Sequence, residues 1–335
     1  MQKVVVSGFG DVGQLEVIDQ PDPEPAPGEV VVRLTSIGMN NADLMARRGE
    51  YKLISGNPPF TPGLEAGGII ASIGPEVTER VAGQRVILTL DAPATRGQGY
   101  GTYRSHCVVS ADKTVLAPDG VTDDLLGALW LPYLTAWGCL VWKQNLQPGQ
   151  TVLITAASSS VGLAASQVVK HYGGTAVGTT TSPEKVEKLQ AMPEARYDQI
   201  IVTSDGQSWY RDAKKLTGGK GFDVIFDAIA AGEFLNTEIR LLASKGTLWI
   251  YGLLGQPETV NVHPLIRKMA SLRGWLLNEL SGSGIETGAY KHVMARVADG
   301  TYQLPIAAKF ALSDVRDAQA MMEAKQHMGK VILVP

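Results

Sequence analysis

Apolar runs of two different textures divide the chain. In the first third, Val4-Val5-Val6, Val30-Val31-Val32 and Arg85-Val86-Ile87-Leu88 are short and β-branched, and turn formers such as Pro25-Ala26-Pro27-Gly28 separate them. Short strands punctuated in this way predict a compact, mostly β domain. From about residue 125 the apolar runs alternate with helix-length stretches: Thr151–Ile154 before a helical run at 161–172, and Thr175–Gly178 before another at 183–192. Ile200–Val202, Val224–Phe226 and Thr247–Ile250 continue the series. Near-continuous apolar strands between helices predict a parallel sheet covered on both faces. The closing run Gly329-Lys330-Val331-Ile332-Leu333-Val334 predicts a strand that returns to the first domain. The expected division is therefore 1–124, 125–263 and a return over 264–335.

One stretch demands a membrane check, because Leu125 to Trp142 holds no charge over eighteen residues, the length of a spanning helix. Pro132, Gly127, Gly138 and Thr135 dilute it, and Thr122-Asp123-Asp124 reads as the capped start of a soluble helix. Two short buried helices broken near Pro132 are expected instead. The N-terminal Val-rich run lacks the features of a secretory signal and reads as a first strand.

Composition narrows the partners. With 30 Lys+Arg against 33 Asp+Glu and a net charge of -3, no basic stripe marks a track for nucleic acid. Two cysteines, Cys107 and Cys139, cannot build a disulfide framework or a four-cysteine metal site. A reducing, cytoplasmic location is expected, with no membrane partner.

The segment from Thr151 to Gly162 reads strand, small-residue turn, helix start. Dinucleotide-binding turns use that order because a pyrophosphate must approach backbone N–H groups and the positive helix end without a Cβ in the way. Aligned on GxGxxG, Ala157 and Ser159 replace the first two glycines and only Gly162 remains. A tight connection kept small for packing is the competing reading. At the end of the second strand, where an NAD site normally carries a carboxylate, the chain reads Gly178-Thr179-Thr180-Thr181-Ser182-Pro183-Glu184-Lys185. Hydroxyls followed by a lysine suit a 2′-phosphate; a serine-capped helix with a solvated charged face is the plainer alternative.

Several separated motifs then resemble the medium-chain dehydrogenase/reductase superfamily, specifically its zinc-independent, quinone oxidoreductase-like branch. Gly38-Met-Asn-Asn-Ala-Asp43 with Arg48-Gly49-Glu50-Tyr51, Pro62-Gly63-Leu64-Glu65-Ala66-Gly67-Gly68, Gly83-Gln-Arg-Val86, Leu134-Thr135-Ala136-Trp137 and the turn at 156–162 occur in the branch's order and spacing. The resemblance runs from Val4 to the Gly329-Lys330 strand. It implies an α/β fold: a Rossmann-type parallel-sheet cofactor domain plus a mostly β GroES-like domain, with the cofactor between them.

Members with catalytic zinc carry Cys where this chain has Asn40 and His where it has Leu64, and the stretch between Val86 and Tyr103 has none of the cysteines of their structural lobe. No metal is expected. The resemblance implies hydride delivery from NADPH to a quinone or conjugated enone as small-molecule substrate, with Asn40 beside the nicotinamide, Asp43 orienting its loop and Tyr51 donating a hydrogen bond or proton. Cofactor contacts would come from Thr135, Ser158, Ser159, Ser160, Val161, Gly162, Thr179, Thr180, Thr181, Lys185, Gly252 and Lys325. Relatives pair the edges of their cofactor sheets, so a homodimer through the apolar Leu248–Leu254 strand is expected. A 2-enoyl thioester reductase shares the architecture, and a non-catalytic NADPH-binding or interaction protein is the alternative of another class.

Overall fold

The computed structural model describes residues 1–51, 55–89, 101–204, 208–256 and 258–335. Residues 90–100, inside the cysteine-free stretch between Val86 and Tyr103, lie outside that set. The chain forms two compact units: Met1–Leu131 with Met294–Asp299 and Leu304–Pro335, and Pro132–Val293 with Gly300–Gln303.

In the first unit β1 (Gln2–Val6) and β2 (Leu15–Asp19) form an antiparallel ribbon. The ten-residue β3 (Glu29–Gly38) is followed by α1 (Asn41–Arg48), β4 (Glu65–Ile73), β5 (Arg85–Leu88), β6 (His106–Ser110) and β7 (Thr114–Leu116). α2 (Trp130–Trp137) then starts at the unit's end and runs on into a wider π turn over Gly138–Lys143. The expected break at Pro132 is corrected here. Pro132 is the third residue of α2, where its missing N–H removes no intrahelical bond.

The second unit is the alternating one. β8 (Thr151–Ile154), α3 (Ser160–His171), β9 (Thr175–Thr180), α4 (Glu184–Ala191), β10 (Gln199–Val202), α5 (Ser208–Leu216), β11 (Phe222–Asp227), α6 (Gly232–Leu241), β12 (Leu242–Ile250), α7 (His263–Lys268) and β13 (Ser271–Gly274) follow in order. All six strands are parallel, in the sequence β10-β9-β8-β11-β12-β13. Leu153, Val177, Ile225 and Leu248 at the sheet centre pack with Trp209, Phe222 and Ile239 in one core. β12 lies between β11 and β13, so the Leu248–Leu254 segment is not the free edge that the dimer expectation required; among the described strands β10 and β13 are the edges, and β13 is the one beside β12.

The chain returns through α8 (Glu286–Ala298), β14 (Ile306–Ala311), α9 (Val315–Glu323) and β15 (Lys330–Val334). β15 pairs antiparallel with β3, completing a sheet ordered β14-β15-β3-β4-β5-β7 with β6 also on β3. The unit divisions differ from the expected ones for two physical reasons. Ser36 Oγ donates to Asp123 O at 2.9 Å and accepts from Gly127 N–H at 2.7 Å, holding residues beyond 124 to the first unit. At the other end β13 completes the parallel sheet, so the return comes after residue 293 rather than at 264.

Candidate active site and cofactor turn

In the second unit the carboxyl end of β8 feeds the turn and then α3. Ala156 sits at φ 50°, a left-handed conformation in a residue other than glycine. Ser159 is the N-cap: its Oγ accepts from Gly162 N–H at 3.0 Å and its carbonyl from Leu163 N–H at 2.9 Å. The amides of Ser160 and Val161 are left at the open helix end without an intrahelical acceptor, which is how such ends bind phosphate. Gly162 is required by close approach, since a Cβ there would stand 2.6 Å from Ala156 O. The serines thus keep the one glycine that packing demands.

The structure brings Lys185 of α4 to this turn: its Nζ donates to Ser158 Oγ at 3.1 Å. Burial, then the neighbouring Lys188, lowers the Lys185 pKa. The three threonines separate. Thr179 is buried and its carbonyl accepts from Ala157 N–H, while Thr180 is buried and its Oγ1 accepts from Ser182 N–H at 3.2 Å. Only Thr181 is exposed. No carboxylate ends β9, and the following Glu184 accepts from Ser182 Oγ at 2.8 Å.

Two residues that sequence reasoning missed organise the neighbouring strand ends. Asp227, fully buried at the end of β11, accepts from Thr155 Oγ1 (2.9 Å), Ile229 N–H (2.8 Å) and Ala230 N–H (2.7 Å), while Thr155 Oγ1 accepts from Ala228 N–H. Burial raises the Asp227 pKa against these bonds. The signal was available: an acid ends the apolar run Val224-Ile225-Phe226-Asp227. Gly252 follows β12 beside this loop, where a Cβ would meet Ala228 O at 2.9 Å. Thr135 is the sixth residue of α2, and its carbonyl accepts from Trp275 Nε1 at 3.0 Å.

In the first unit Asn40 caps α1 and is buried in a polar cluster. Its N–H donates to Asp43 Oδ2 at 2.8 Å, its Nδ2 to Gly38 O and Glu65 Oε1 at 3.2 Å each, and its Oδ1 accepts from Lys330 Nζ at 2.7 Å. Lys330 of β15 also forms a fully buried ion pair with Glu65 Oε1. Glu65 Oε2 accepts from Leu131 N–H at 3.2 Å, near the start of α2. Asp43 Oδ2 further accepts from Tyr103 OH at 3.0 Å, and burial pushes the Asp43 carboxyl up to about 7. Sequence reasoning found Asn40 but not Lys330, which lies 290 positions away. Tyr51 follows α1, half-buried, and burial raises its pKa. Lys325 lies just after α9 at φ 55°, exposed, in the first unit.

A zinc ion does not fit at position 40. The carboxamide is engaged on both sides, and the Lys330 ammonium on its oxygen repels a divalent cation. Leu64 offers no donor atom. Among the described residues no group of three His, Cys, Asp or Glu side chains is gathered as a metal site.

Residues 26–119 match the family described as Alcohol dehydrogenase GroES-like domain, and residues 160–298 match Zinc-binding dehydrogenase. A 2-haloacrylate reductase of Burkholderia sp is 30% identical over 93% of this chain and 92% of its own length. The chain is a medium-chain dehydrogenase/reductase. Within that superfamily it is also similar to the Synaptic vesicle membrane protein VAT-1 homolog of Homo sapiens, at 29% identity over 99% of this chain and 86% of that protein. A mycobacterial relative solved in complex with NADPH superposes at TM-score 0.87 with 27% identity, covering 100% of both chains. A Pseudomonas syringae quinone oxidoreductase does so at TM-score 0.87 and 26% identity, covering 100% of this chain and 99% of that one. The fold is the expected Rossmann-like parallel-sheet domain with a GroES-like domain. No helix among the described residues is long and apolar enough to cross a membrane.

Proposed function

We propose that the chain is an NADPH-dependent reductase that works without metal and passes hydride to a quinone or an α,β-unsaturated carbonyl. The observation that carries this reading is the pairing of Lys185 with Ser158 at the turn, with no acid at the end of β9. A 2′-phosphate needs donors and positive charge there, whereas a ribose 2′-OH is normally met by a carboxylate. The residues fit the group: the Ser160 and Val161 amides would hold the pyrophosphate, Gly162 lets the turn close, and Lys185, Thr181 and Ser158 would hold the 2′-phosphate. When bound, NADPH supplies the hydride. The relatives named a 2-haloacrylate reductase and a quinone oxidoreductase point to electron-poor carbon as the acceptor.

The protein's share is orientation, exclusion of water and hydrogen bonds to developing negative charge on oxygen. Asn40, fixed by Glu65 and Lys330, would border the reacting groups. Tyr51, a protonated phenol whose pKa burial raises further, would donate to the carbonyl oxygen. Lys325 is the remaining proposed phosphate contact, and Thr135 and Gly252 those at the nicotinamide. The Cys107 and Cys139 thiols are buried and free, which suits a reducing compartment and a cytoplasmic location. The open edge of β13, with Met269 and Leu276 exposed beside it, suits pairing with a second copy in place of the strand first expected.

An acceptor panel tests the reading. Purified protein with NADPH should reduce a quinone or a small enone faster than an enoyl thioester, and NADH should substitute poorly. Oxidation of NADPH by none of the three acceptors, despite binding, would favour a non-catalytic role. Prolonged chelation should leave turnover unchanged, and stoichiometric zinc in active protein would end the metal-free claim.

A further inference from the structure

The second unit holds a recess of about 500 Å³ away from the dinucleotide turn, lined by Tyr210 and Lys214 of α5, Arg240 of α6, and His263, Arg267 and Lys268 of α7. Gly221 before β11 and Leu241 before β12 complete its wall. It therefore opens at the amino ends of β11 and β12, in the same parallel sheet as β8, which carries the turn at its carboxyl end. The six residues of β11 span roughly 20 Å at about 3.3 Å each, which puts the recess on the opposite edge of the sheet from the cofactor turn.

Its charge runs against that of the chain. The protein carries a net charge of -3, yet from Thr259 to Asn278 there is no Asp or Glu. The recess lining contains two lysines, two arginines and a histidine but no carboxylate. Among the described residues no ion pair engages Lys214, Arg240, Arg267 or Lys268. They are nevertheless held in place. Lys268 Nζ donates to Arg240 O at 2.6 Å and to Leu242 O, tying α7 to the start of β12. The Arg240 guanidinium lies 5.2 Å and the Lys214 ammonium 5.9 Å from the Tyr210 ring centroid; such contacts orient cations without neutralising them. Burial lowers the Lys268 pKa, and repulsion from the Lys214 ammonium adds to that. An anion with several charged oxygens relieves that repulsion and takes charge-assisted hydrogen bonds, with the two planar guanidinium forks suited to phosphoryl groups.

We propose that this recess binds a ligand carrying at least two phosphoryl groups, at a site separate from the cofactor's. Inorganic pyrophosphate is the probe. Titration calorimetry at fixed ionic strength should show one equivalent bound per chain, with and without saturating NADPH. Arg240→Gln with Arg267→Gln should weaken binding at least tenfold, as should Lys214→Gln alone, while circular dichroism and NADPH affinity stay unchanged. Lys185→Ala should leave pyrophosphate affinity in the presence of NADPH unaltered. Binding abolished by NADPH would assign the anion to the dinucleotide turn and overturn the proposal. So would affinity unchanged in the recess variants, no binding at all, or sulfate binding equally well. Vesicles of phosphatidylglycerol identify the source of the phosphate: co-sedimentation displaced by pyrophosphate and lost in the recess variants marks a lipid headgroup, and pyrophosphate binding without co-sedimentation marks a free ligand. Co-sedimentation that pyrophosphate does not displace would count against the recess as the phosphate site.

Discussion

Lys185 carries the proposed choice of cofactor, because its Nζ reaches Ser158 Oγ in the turn. Replacing it with alanine removes one charge-assisted contact of about 1.5 to 3 kcal/mol, so the NADPH dissociation constant should rise about tenfold or more. NADH affinity should stay the same, as titration of both cofactors by fluorescence would show; equal weakening would indicate a damaged turn. Tyr51 allows a second test by substrate. Its phenol is protonated at neutral pH and burial raises its pKa further, and a donor matters most where a new enolate must be quenched. Tyr51→Phe should lower enone turnover about a hundredfold, the lower end of general-acid effects, with less effect on a quinone, whose reduced oxygens take protons from water. Unaltered enone turnover in a folded variant would reduce Tyr51 to packing. At this scale the sequence marks the candidate site residues but not the ones that hold them. Asn40 stands in a readable motif, whereas its anchor Lys330 is one lysine in a closing strand. Thr179 and Thr180 look like ligands in a hydroxyl run, yet cover on both faces of β9 buries both, and a local turn engages Thr180.

Among elements, the alternating strands and helices of the second unit were legible because residues 152–154, 200–202, 224–226 and 248–250 are short, wholly apolar runs and the intervening stretches have helix length. Neighbour order was not legible. The apolar end of β12 at residues 248–250 belongs to a strand inside the sheet, between β11 and β13, and not to a free edge. The edge falls to the four-residue β13, whose Arg273 and Gly274 disguise it. A long helical run also survives Pro132, because proline in the first turn costs no hydrogen bond. The dimer prediction accordingly moves to β13. The protein should sediment as a dimer at micromolar concentration, and Leu276→Asp, at a side chain that is 43% exposed beside that edge, should shift it toward monomer without loss of secondary structure. A wild-type monomer under those conditions would remove the interface.

For the whole molecule, the buried acids set how stability responds to pH. Asp43, pushed up by burial to about 7 from 3.8, is joined by Asp227 and by Glu238, both raised by burial, with the Asp227 charge adding to the rise at Glu238. No bonding partner reaches either Glu238 oxygen among the described residues. An acid whose folded pKa exceeds its unfolded value keeps in the native state a proton that the unfolded chain has lost. Between about pH 4 and 7 the native state therefore binds more protons, and stability falls as pH rises through that window. For Asp43 the shift from 3.8 to about 7 corresponds to at most about 4 kcal/mol. His106 acts in the other direction, since burial lowers its pKa and the unfolded chain takes up the proton first, but it is one half-exposed group. Asp22 titrates below the window, because the N-terminal ammonium pulls it down. The urea midpoint should thus be higher at pH 5 than at pH 8, and Asp43→Asn, which keeps the side chain's shape but cannot ionise, should flatten the difference. A midpoint that climbs from pH 5 to pH 8 would mean that Asp43 is ionised inside the fold, compensated by Lys330 and by the hydrogen bonds from Asn40 and Tyr103.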